Sequence, residues 1–186
     1  MLAISNEIKI VIGSWGSYNE CNERAYGSKW LDLADYSDWD EIEEELKAEG
    51  FELDGMDEEL FIQNVDNFPS GAANWDYVHP KSFFELMKES GVLDDDYKYR
   101  VMEAYMEIED YRAFESRVKK YGDGWDDDIF LYPDTDWYDL GYQIINEYIG
   151  TQIPSFLESY IDYAGYGREL SYEGYHEYSG GIIEIR

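Results

Sequence analysis

The residues that usually carry catalysis are scarce in this chain. Its 186 residues include two histidines and one cysteine. His79 stands directly before Pro80 in a pattern typical of a helix start, and His176 lies in a predicted hairpin. Cys21 can form neither an internal disulfide nor a cysteine-based zinc site. Because the sequence also has no glycine-rich phosphate loop and no nucleophile elbow, it favours a protein without catalysis, cofactor or metal.

Carboxylates are the one abundant reactive group, and two short runs could bind cations. The run 134–136 (Asp-Thr-Asp) resembles the start of a calcium loop. Asp139 stands where such a loop needs glycine, and Ile145 stands where it needs a bidentate glutamate. The run 126–128 consists of three aspartates, which could hold a divalent ion loosely but are more often simply solvated.

Two carboxylates could also hydrolyse a glycosidic bond if the fold placed them about 5–5.5 Å or 6.5–9.5 Å apart. Tryptophan and tyrosine could line a sugar cleft beside them. With 43 Asp and Glu residues in the chain, however, any fold would bring some pair together, so abundance carries little weight. A carboxylate-dependent glycoside hydrolase therefore stays open as a much weaker alternative.

The acidity itself is the strongest signal. The 43 acidic residues face only 14 Lys and Arg, which gives a formal net charge of -29. The acids are interleaved with 6 Trp, 19 Tyr and 8 Phe, whereas disordered acidic segments are poor in aromatic residues. The composition predicts a folded protein whose acidic surface repels nucleic acids and membranes and attracts basic proteins.

The charge can be compared with that of DNA. Duplex DNA carries one negative charge per ~1.7 Å of its axis, so this net charge corresponds to roughly 50 Å of duplex. The comparison is compatible with a DNA-shaped surface. On composition alone, solubility or adaptation to high salt explains the acidity more simply.

Neither export nor membrane insertion is predicted. No stretch approaches the ~18 apolar residues of a membrane span. The first twelve residues include Glu7 and Lys9 and lack the pattern of a signal peptide. We therefore expect a cytoplasmic protein.

The fold class expected from the patterning is α+β. Residues 1–70 predict a small sheet with one helix, which begins at Ser37 or Asp38 and has Glu41 in capping-box position. Three strands are predicted in this segment, at 7–14, around 29–31 and at 59–65.

Residues 71–126 predict a helical unit. One helix begins at Pro80 and ends at Gly91, and a longer helix follows from about Asp94. A third helix is predicted around residues 114–121. The apolar stripe expected on the longer helix comprises Tyr97, Val101, Tyr105 and Ile108.

Residues 127–186 predict an α+β unit with a helix at 136–148 and a second helix that begins at Pro154. We expect the second helix to be broken by Gly165 and Gly167. Its inward side chains should include Phe156, Leu157 and Tyr160. Four strands are predicted in this unit, one at 129–132 and a closing meander at 169–172, 175–178 and 182–185.

Three segments together are similar to a known family. Their sequences are IVIGSWGSYNE at 10–20, EELFIQNVDNFP at 58–69, and a segment at 153–185 that contains IDYAGYGREL and then GIIEI. This combination resembles the ArdA antirestriction family, whose members come from plasmids, conjugative transposons and phages. The resemblance extends over the chain roughly from end to end.

The resemblance implies an elongated protein of three small domains in a row, here 1–70, 71–126 and 127–186. It implies a homodimer joined through the last of these domains. The protein would imitate bent B-form DNA and occupy the basic DNA-binding groove of a Type I restriction-modification enzyme in the bacterial cytoplasm. The resemblance implies no cofactor and no binding to nucleic acid or to a membrane. An acidic DNA mimic directed at a nucleoid protein or a repressor stays open as an alternative.

The resemblance also suggests site residues. The family's acidic central segment corresponds to 94–128, where the candidate partner-binding residues are Asp94, Asp95, Asp96, Glu103, Glu107, Glu109, Asp110, Glu115, Asp123, Asp126, Asp127 and Asp128. The dimerising region corresponds to Tyr132, Asp134, Asp136 and Trp137.

Overall fold

Two antiparallel sheets of three strands each lie in the part of the chain that the computed structural model describes, residues 7–69, 73–148 and 153–186. The first sheet belongs to a unit spanning Met1–Trp125 and the second to a unit spanning Asp126–Arg186. Helices accompany both sheets, so the expected α+β class is confirmed. The elongated arrangement of three domains, with boundaries at 70/71 and 126/127, stays a prediction.

The first sheet has the order β2-β1-β3, with β1 in the centre and antiparallel to both neighbours. Its strands are β1 (Lys9–Ser14), β2 (Leu31–Asp32) and β3 (Leu60–Asp66). Ile10 lies opposite Leu31 on one side and Val65 on the other. Because β1 is buried almost throughout, its β-branched residues form the core of this sheet. The strand predicted at 7–14 is therefore confirmed.

Two helices accompany this sheet, α1 (Trp15–Glu20) and α2 (Trp39–Ala48). The predicted N-cap of α2 at Asp38 is confirmed, but the reciprocal bond of the capping box reaches the preceding residue, Ser37. The Asp38 carboxylate accepts a hydrogen bond from the Glu41 amide at 3.1 Å, and the Glu41 carboxylate accepts one from the Ser37 amide at 2.7 Å. The helix buries its apolar stripe, Trp39, Ile42 and Leu46.

Three helices follow, α3 (Pro80–Ser90), α4 (Asp96–Ile108) and α5 (Tyr111–Tyr121). They pack around Trp125, which is fully buried and donates its indole N–H to the Ser90 carbonyl at 2.9 Å. Gly91 ends α3 with φ 73°, a conformation in which a side chain would be strained. The expected helices are therefore present.

The apolar stripe predicted for α4 is partly wrong. Val101 and Tyr105 are buried, but Tyr97 is 42 % exposed and Ile108 is only half-buried. The buried arc is wider than a single stripe, and it comprises Tyr99, Val101, Met102, Ala104, Tyr105 and Met106. The helix therefore turns a broad face inward that is centred nearer Met102 than the expected stripe.

The second sheet has the order β4-β6-β5, and its strands are β4 (Ile129–Pro133), β5 (Tyr175–Tyr178) and β6 (Gly181–Ile185). The helices of this unit are α6 (Trp137–Gln143), which continues as a π-helical turn (Ile144–Tyr148), then α7 (Ser155–Glu158) and α8 (Tyr163–Glu169). Its core cluster contains Leu140, Leu170, Tyr175 and Ile182. The last two strands of the predicted meander are confirmed, whereas 169–172 is wrong, because a 3₁₀ turn (Leu170–Glu173) lies there.

The glycines expected to break a helix lie inside α8 instead. A Cβ on Gly167 would overlap the Trp137 carbonyl at the start of α6, and a Cβ on Gly141 of α6 would overlap the Tyr163 carbonyl. The two helices therefore cross with their backbones in contact, and this close approach requires glycine at both positions. A packing requirement between helices, not a turn, explains Gly167.

The predicted inward side chains after Pro154 are also wrong. Phe156 is 71 %, Leu157 is 42 % and Tyr160 is 83 % exposed. Because α7 has only four residues, it is too short to bury an apolar stripe of its own. These side chains give the second unit an exposed aromatic surface.

Candidate partner-binding surface

One of the buried carboxylates joins three parts of the first unit. Asp57 is fully buried and accepts hydrogen bonds from the Ser14 and Ser17 hydroxyls and from the Glu52 amide, the last at 2.8 Å. Arg24 donates to its second oxygen at 3.1 Å. Burial alone would raise the pKa of Asp57, but these hydrogen bonds and the guanidinium hold that pKa below its ordinary value. Asp57 is therefore a structural carboxylate.

A second buried carboxylate, Glu184, lies in the second sheet. It accepts a hydrogen bond from the Tyr132 hydroxyl at 3.0 Å, and the Arg186 guanidinium donates to its other oxygen at 2.5 Å. Burial and the neighbouring Glu184 carboxylate raise the pKa of the Tyr175 hydroxyl. Both buried acids thus hold strands and loops in place and leave recognition to the surface.

The twelve candidate partner-binding acids lie on the helices and turns of 94–128. All are exposed except Glu115, Asp126 and Asp128, which are half-buried. They lie on the outer side of α4, in the turns at its two ends, on α5 in the case of Glu115, and in the turns that follow α5. No cluster of His, Cys, Asp and Glu that could hold a metal ion occurs among the residues described.

Several of these acids also have structural partners. Asp95 caps α4 by accepting from the Tyr97 amide at 2.7 Å, and Asp110 caps α5 by accepting from the Ala113 amide at 2.8 Å. Asp123 pairs with Lys98 at 2.5 Å. Their charges are therefore partly used by the fold.

Two other members differ in their surroundings. Glu115 pairs with Lys119 at 2.9 Å, four residues along the same helix. Burial raises the pKa of Glu103, and the nearby Glu107 carboxylate raises this pKa further, whereas a hydrogen bond from Tyr99 lowers it.

Three other candidate acids have no cation nearby. For Asp94, Glu109 and Asp127, the described part of the chain offers no cation at ion-pair distance. These three present the least compensated charges of the candidate set.

The charge is distributed unevenly along the chain. Residues 1–79 have 19 Asp and Glu against 4 Lys and Arg, and residues 122–186 have 14 against 2. Residues 80–121, which include most of the candidate acids, have 10 against 8 and so are nearly balanced. The two flanking segments, rather than the central helices, thus carry most of the negative charge.

The most concentrated acidic face outside the candidate set belongs to α2. Its ten residues include five acids and one lysine, and the apolar residues Trp39, Ile42 and Leu46 point inward. The acids occupy the remainder of the helix surface: Asp40, Glu41, Glu43, Glu44 and Glu45. None of these five acids belongs to the candidate set that the resemblance suggested.

The four candidate dimer residues all make contacts within the second unit. Tyr132 and Trp137 pack against its core cluster, and the Trp137 indole donates to Glu177 at 3.3 Å. Asp136 caps α6 by accepting from the Asp139 amide at 2.9 Å, and Asp134 has φ 53° in the turn after β4. Each keeps some exposed surface, so their role in a dimer stays a prediction.

A cleft of about 430 Å³ lies beside the starts of α3 and α5. Two acids, Asp110 and Glu115, are among its lining residues, and a glycoside hydrolase would need a pair of carboxylates in such a cleft. Asp110 caps α5 and Glu115 pairs with Lys119, so both groups are already engaged in the fold.

Within the described ranges, no helix is both long and apolar enough to cross a bilayer.

Exposed acids on a folded α+β scaffold give this protein a strongly acidic surface. The sequence model of a family described as "Antirestriction protein (ArdA)" matches residues 10–184 of the 186. The chain therefore belongs to the ArdA antirestriction family. The proteins of this family are non-catalytic, and membership in it implies an antirestriction function. A search among curated proteins found no match.

Proposed function

We propose that this chain is a DNA mimic that blocks a Type I restriction-modification enzyme by occupying its DNA-binding groove. The observation that carries the proposal is the net charge of -29 on a folded protein of the antirestriction family, with the acids directed outward. A groove that binds DNA gains much of its affinity from phosphates and counterion release. Carboxylates on a rigid scaffold can engage the same lysines and arginines.

The spacing of charges on α2 supports this proposal. A helix of ten residues extends about 15 Å, so its five acids follow one another every ~3 Å along the axis. Phosphates on one DNA strand follow one another every ~3.4 Å. The face of α2 therefore presents carboxylates at close to the linear density of a single DNA strand.

A folded mimic also has an energetic advantage over its competitor. Bending a DNA site of 20–30 base pairs costs about 1–6 kcal/mol, and a preformed protein surface does not bear that cost. Because each exposed charge pair contributes only about 0–1 kcal/mol, the affinity should be spread over many acids. No single carboxylate should be indispensable.

Dimerisation through the second unit is part of the proposal. Tyr132 and Trp137 lie in a unit that exposes several large aromatic side chains, among them Tyr138 at 50 % and Tyr142 at 48 %. Exposed aromatic surface of this kind is typical of protein interfaces. Light scattering should give a dimer at micromolar concentration, and Tyr132→Ala with Trp137→Ala should shift it towards monomer.

The experiment that tests the function is plating of unmodified phage on a host that restricts through a Type I system and expresses the protein. The expected result is a higher plating efficiency than in the same host without the protein, and no difference in a host that lacks restriction. Unchanged restriction by several Type I systems would exclude this target. A nucleoid protein or repressor recovered by the tagged chain from a bacterial lysate would then point to the other form of mimicry.

A further inference from the structure

The face of α5 that points away from the core is basic, in a chain that is otherwise strongly acidic. The helix has four Lys and Arg residues against the single acid Glu115. Residues seven apart on a helix lie within about 20° of each other, and residues eight apart lie within about 80°. Arg112, Lys119 and Lys120 therefore share one side of α5, and all three are exposed. We call these three residues the basic face.

The fourth cation of α5 has a different role. Arg117 donates to the Trp125 carbonyl at 2.6 Å, and its guanidinium lies 5.9 Å from the centre of the Tyr105 ring. It is half-buried and holds the end of α5 against the core of its unit. Arg117 is therefore structural and does not belong to the basic face.

Helix stability does not account for the basic face. Lys119 and Lys120 lie in the last turn, where cations interact favourably with the helix dipole. Arg112 lies in the first turn, where a cation is disfavoured, and that turn has no acid. Dipole stabilisation would thus explain two of the three residues and leave Arg112 in an unfavourable place.

Ion pairing within the fold does not account for it either. Lys119 pairs with Glu115, but its side chain remains 65 % exposed. Throughout the described ranges, no carboxylate lies at ion-pair distance from Arg112 or Lys120, although the chain has about three acids for each base. Lys120 instead lies over the Tyr121 ring, 4.6 Å from its centre. The basic face is directed to solvent with its charges largely uncompensated.

The net charge of the protein and the short range of electrostatic screening together indicate the kind of partner that the basic face would contact. A net charge of -29 repels any partner that is acidic as a whole, but salt screens charges beyond about 8 Å at physiological ionic strength. A partner that is attracted overall and also meets the basic face must therefore be basic as a whole and acidic locally. A DNA-binding protein with acidic side chains bordering its groove has both properties.

We propose that Arg112, Lys119 and Lys120 contact acidic side chains at the border of the partner's DNA-binding groove and fix the register of the inhibitor within it. The inference rests on the proposed function, because the groove is that of the restriction-modification enzyme. It adds a feature that DNA itself lacks. A uniform polyanion could slide along a basic groove, whereas a basic face at one place favours a single alignment.

Charge reversal tests the inference. Dependence of affinity on total charge alone and contact of the basic face with acids predict opposite changes in the Kd. The variant Arg112→Glu, Lys119→Glu, Lys120→Glu changes the net charge from -29 to -35. If affinity depended on total charge alone, this variant would bind the purified Type I enzyme more tightly. If the basic face contacts acids, three attractive pairs become repulsive and the Kd should rise about tenfold or more.

The control reverses two other exposed cations, Lys81 and Arg168, and changes the net charge in the same direction, from -29 to -33. Its Kd should equal or fall below that of the wild-type protein. Because Glu is unfavourable at the end of a helix, the milder set Arg112→Gln, Lys119→Gln, Lys120→Gln should be measured too. It keeps helix propensity and should still weaken binding about threefold, with circular dichroism confirming the fold.

Each alternative has its own outcome. Equal or tighter binding by the α5 reversal overturns the inference and leaves DNA mimicry intact. A change in the sedimentation of the α5 variant alone would assign the basic face to contact between copies of this chain and overturn it. Retardation of duplex DNA by the wild-type protein that is lost in this variant would assign the face to nucleic acid, with the same consequence. If the wild-type protein does not bind the enzyme, the proposed function fails and the inference with it.

Discussion

Replacing Asp57 by asparagine should destabilise the protein although it lowers an excessive negative charge. The carboxylate is fully buried and serves two serine hydroxyls, the Glu52 amide and Arg24. The amide side chain can still accept from the serines, but its NH₂ group cannot accept from the Glu52 amide or from Arg24. Removing one partner of a buried charge pair costs about 3–5 kcal/mol. Because asparagine keeps part of the network, we expect a loss of about 2–4 kcal/mol in the free energy of unfolding.

The matched control is Asp54→Asn, an exposed acid three residues away that removes the same charge. It should leave stability unchanged or raise it slightly, because self-repulsion falls. Urea denaturation at pH 7, followed by circular dichroism, gives both free energies. A difference below about 0.5 kcal/mol between the two variants would refute the structural role of Asp57, since surface substitutions fall in that range.

The pH dependence provides a second check on the same carboxylate. The folded pKa of Asp57 is held below its ordinary value, so its contribution is present above the unfolded pKa of about 3.9. That contribution is lost as pH falls through the folded pKa. The stability difference between wild type and Asp57→Asn should therefore be full at pH 7 and shrink below about pH 4. A difference that is independent of pH would contradict this reasoning.

Three further predictions concern other parts of the molecule. Converting Asp126, Asp127 and Asp128 to Asn should raise the Kd for the restriction-modification enzyme less than about tenfold. Neutralising all twelve candidate acids should raise this Kd far more. Calorimetry in low and moderate salt measures both effects. Tyr163→Phe should be neutral or stabilising by up to about 1 kcal/mol in thermal denaturation, because the buried Tyr163 hydroxyl has no hydrogen-bond partner among the described residues. Gly167→Ala should destabilise by about 1–3 kcal/mol or more in urea, because its Cβ overlaps the Trp137 carbonyl. Gly55→Ala, where a Cβ would meet its nearest atom only at 3.6 Å, should be tolerated.

Capping residues, prolines and glycines in the sequence correctly predicted where several helices begin and end. The N-cap Asp38, which accepts from the Glu41 amide, defines the start of α2, and Pro80 and Gly91 bound α3. Tertiary contacts decided the elements that the sequence mispredicted. Gly167 is part of a helix because α6 crosses α8 there, and no local pattern distinguishes such a glycine from a helix breaker.

The family could be predicted from the sequence, whereas the location of the site stays a prediction. The excess of acids and the motifs in 153–185 led to the family, which residues 10–184 match. The family's central segment directed attention to 94–128, where Lys and Arg nearly balance the acids of the surrounding helices. The basic face of α5 depends on which side of that helix is buried, and this became clear only once the helices were packed.

The measurement that tests the account most directly is a competition between this protein and duplex DNA for a purified Type I restriction-modification enzyme. Labelled DNA containing the enzyme's recognition site should be displaced completely as the protein is added. The affinity of the protein should fall steeply between low and moderate salt, because a distributed field is screened. A stable complex that holds enzyme, DNA and this protein together, or an affinity insensitive to salt, would contradict the claim that the protein takes the place of DNA.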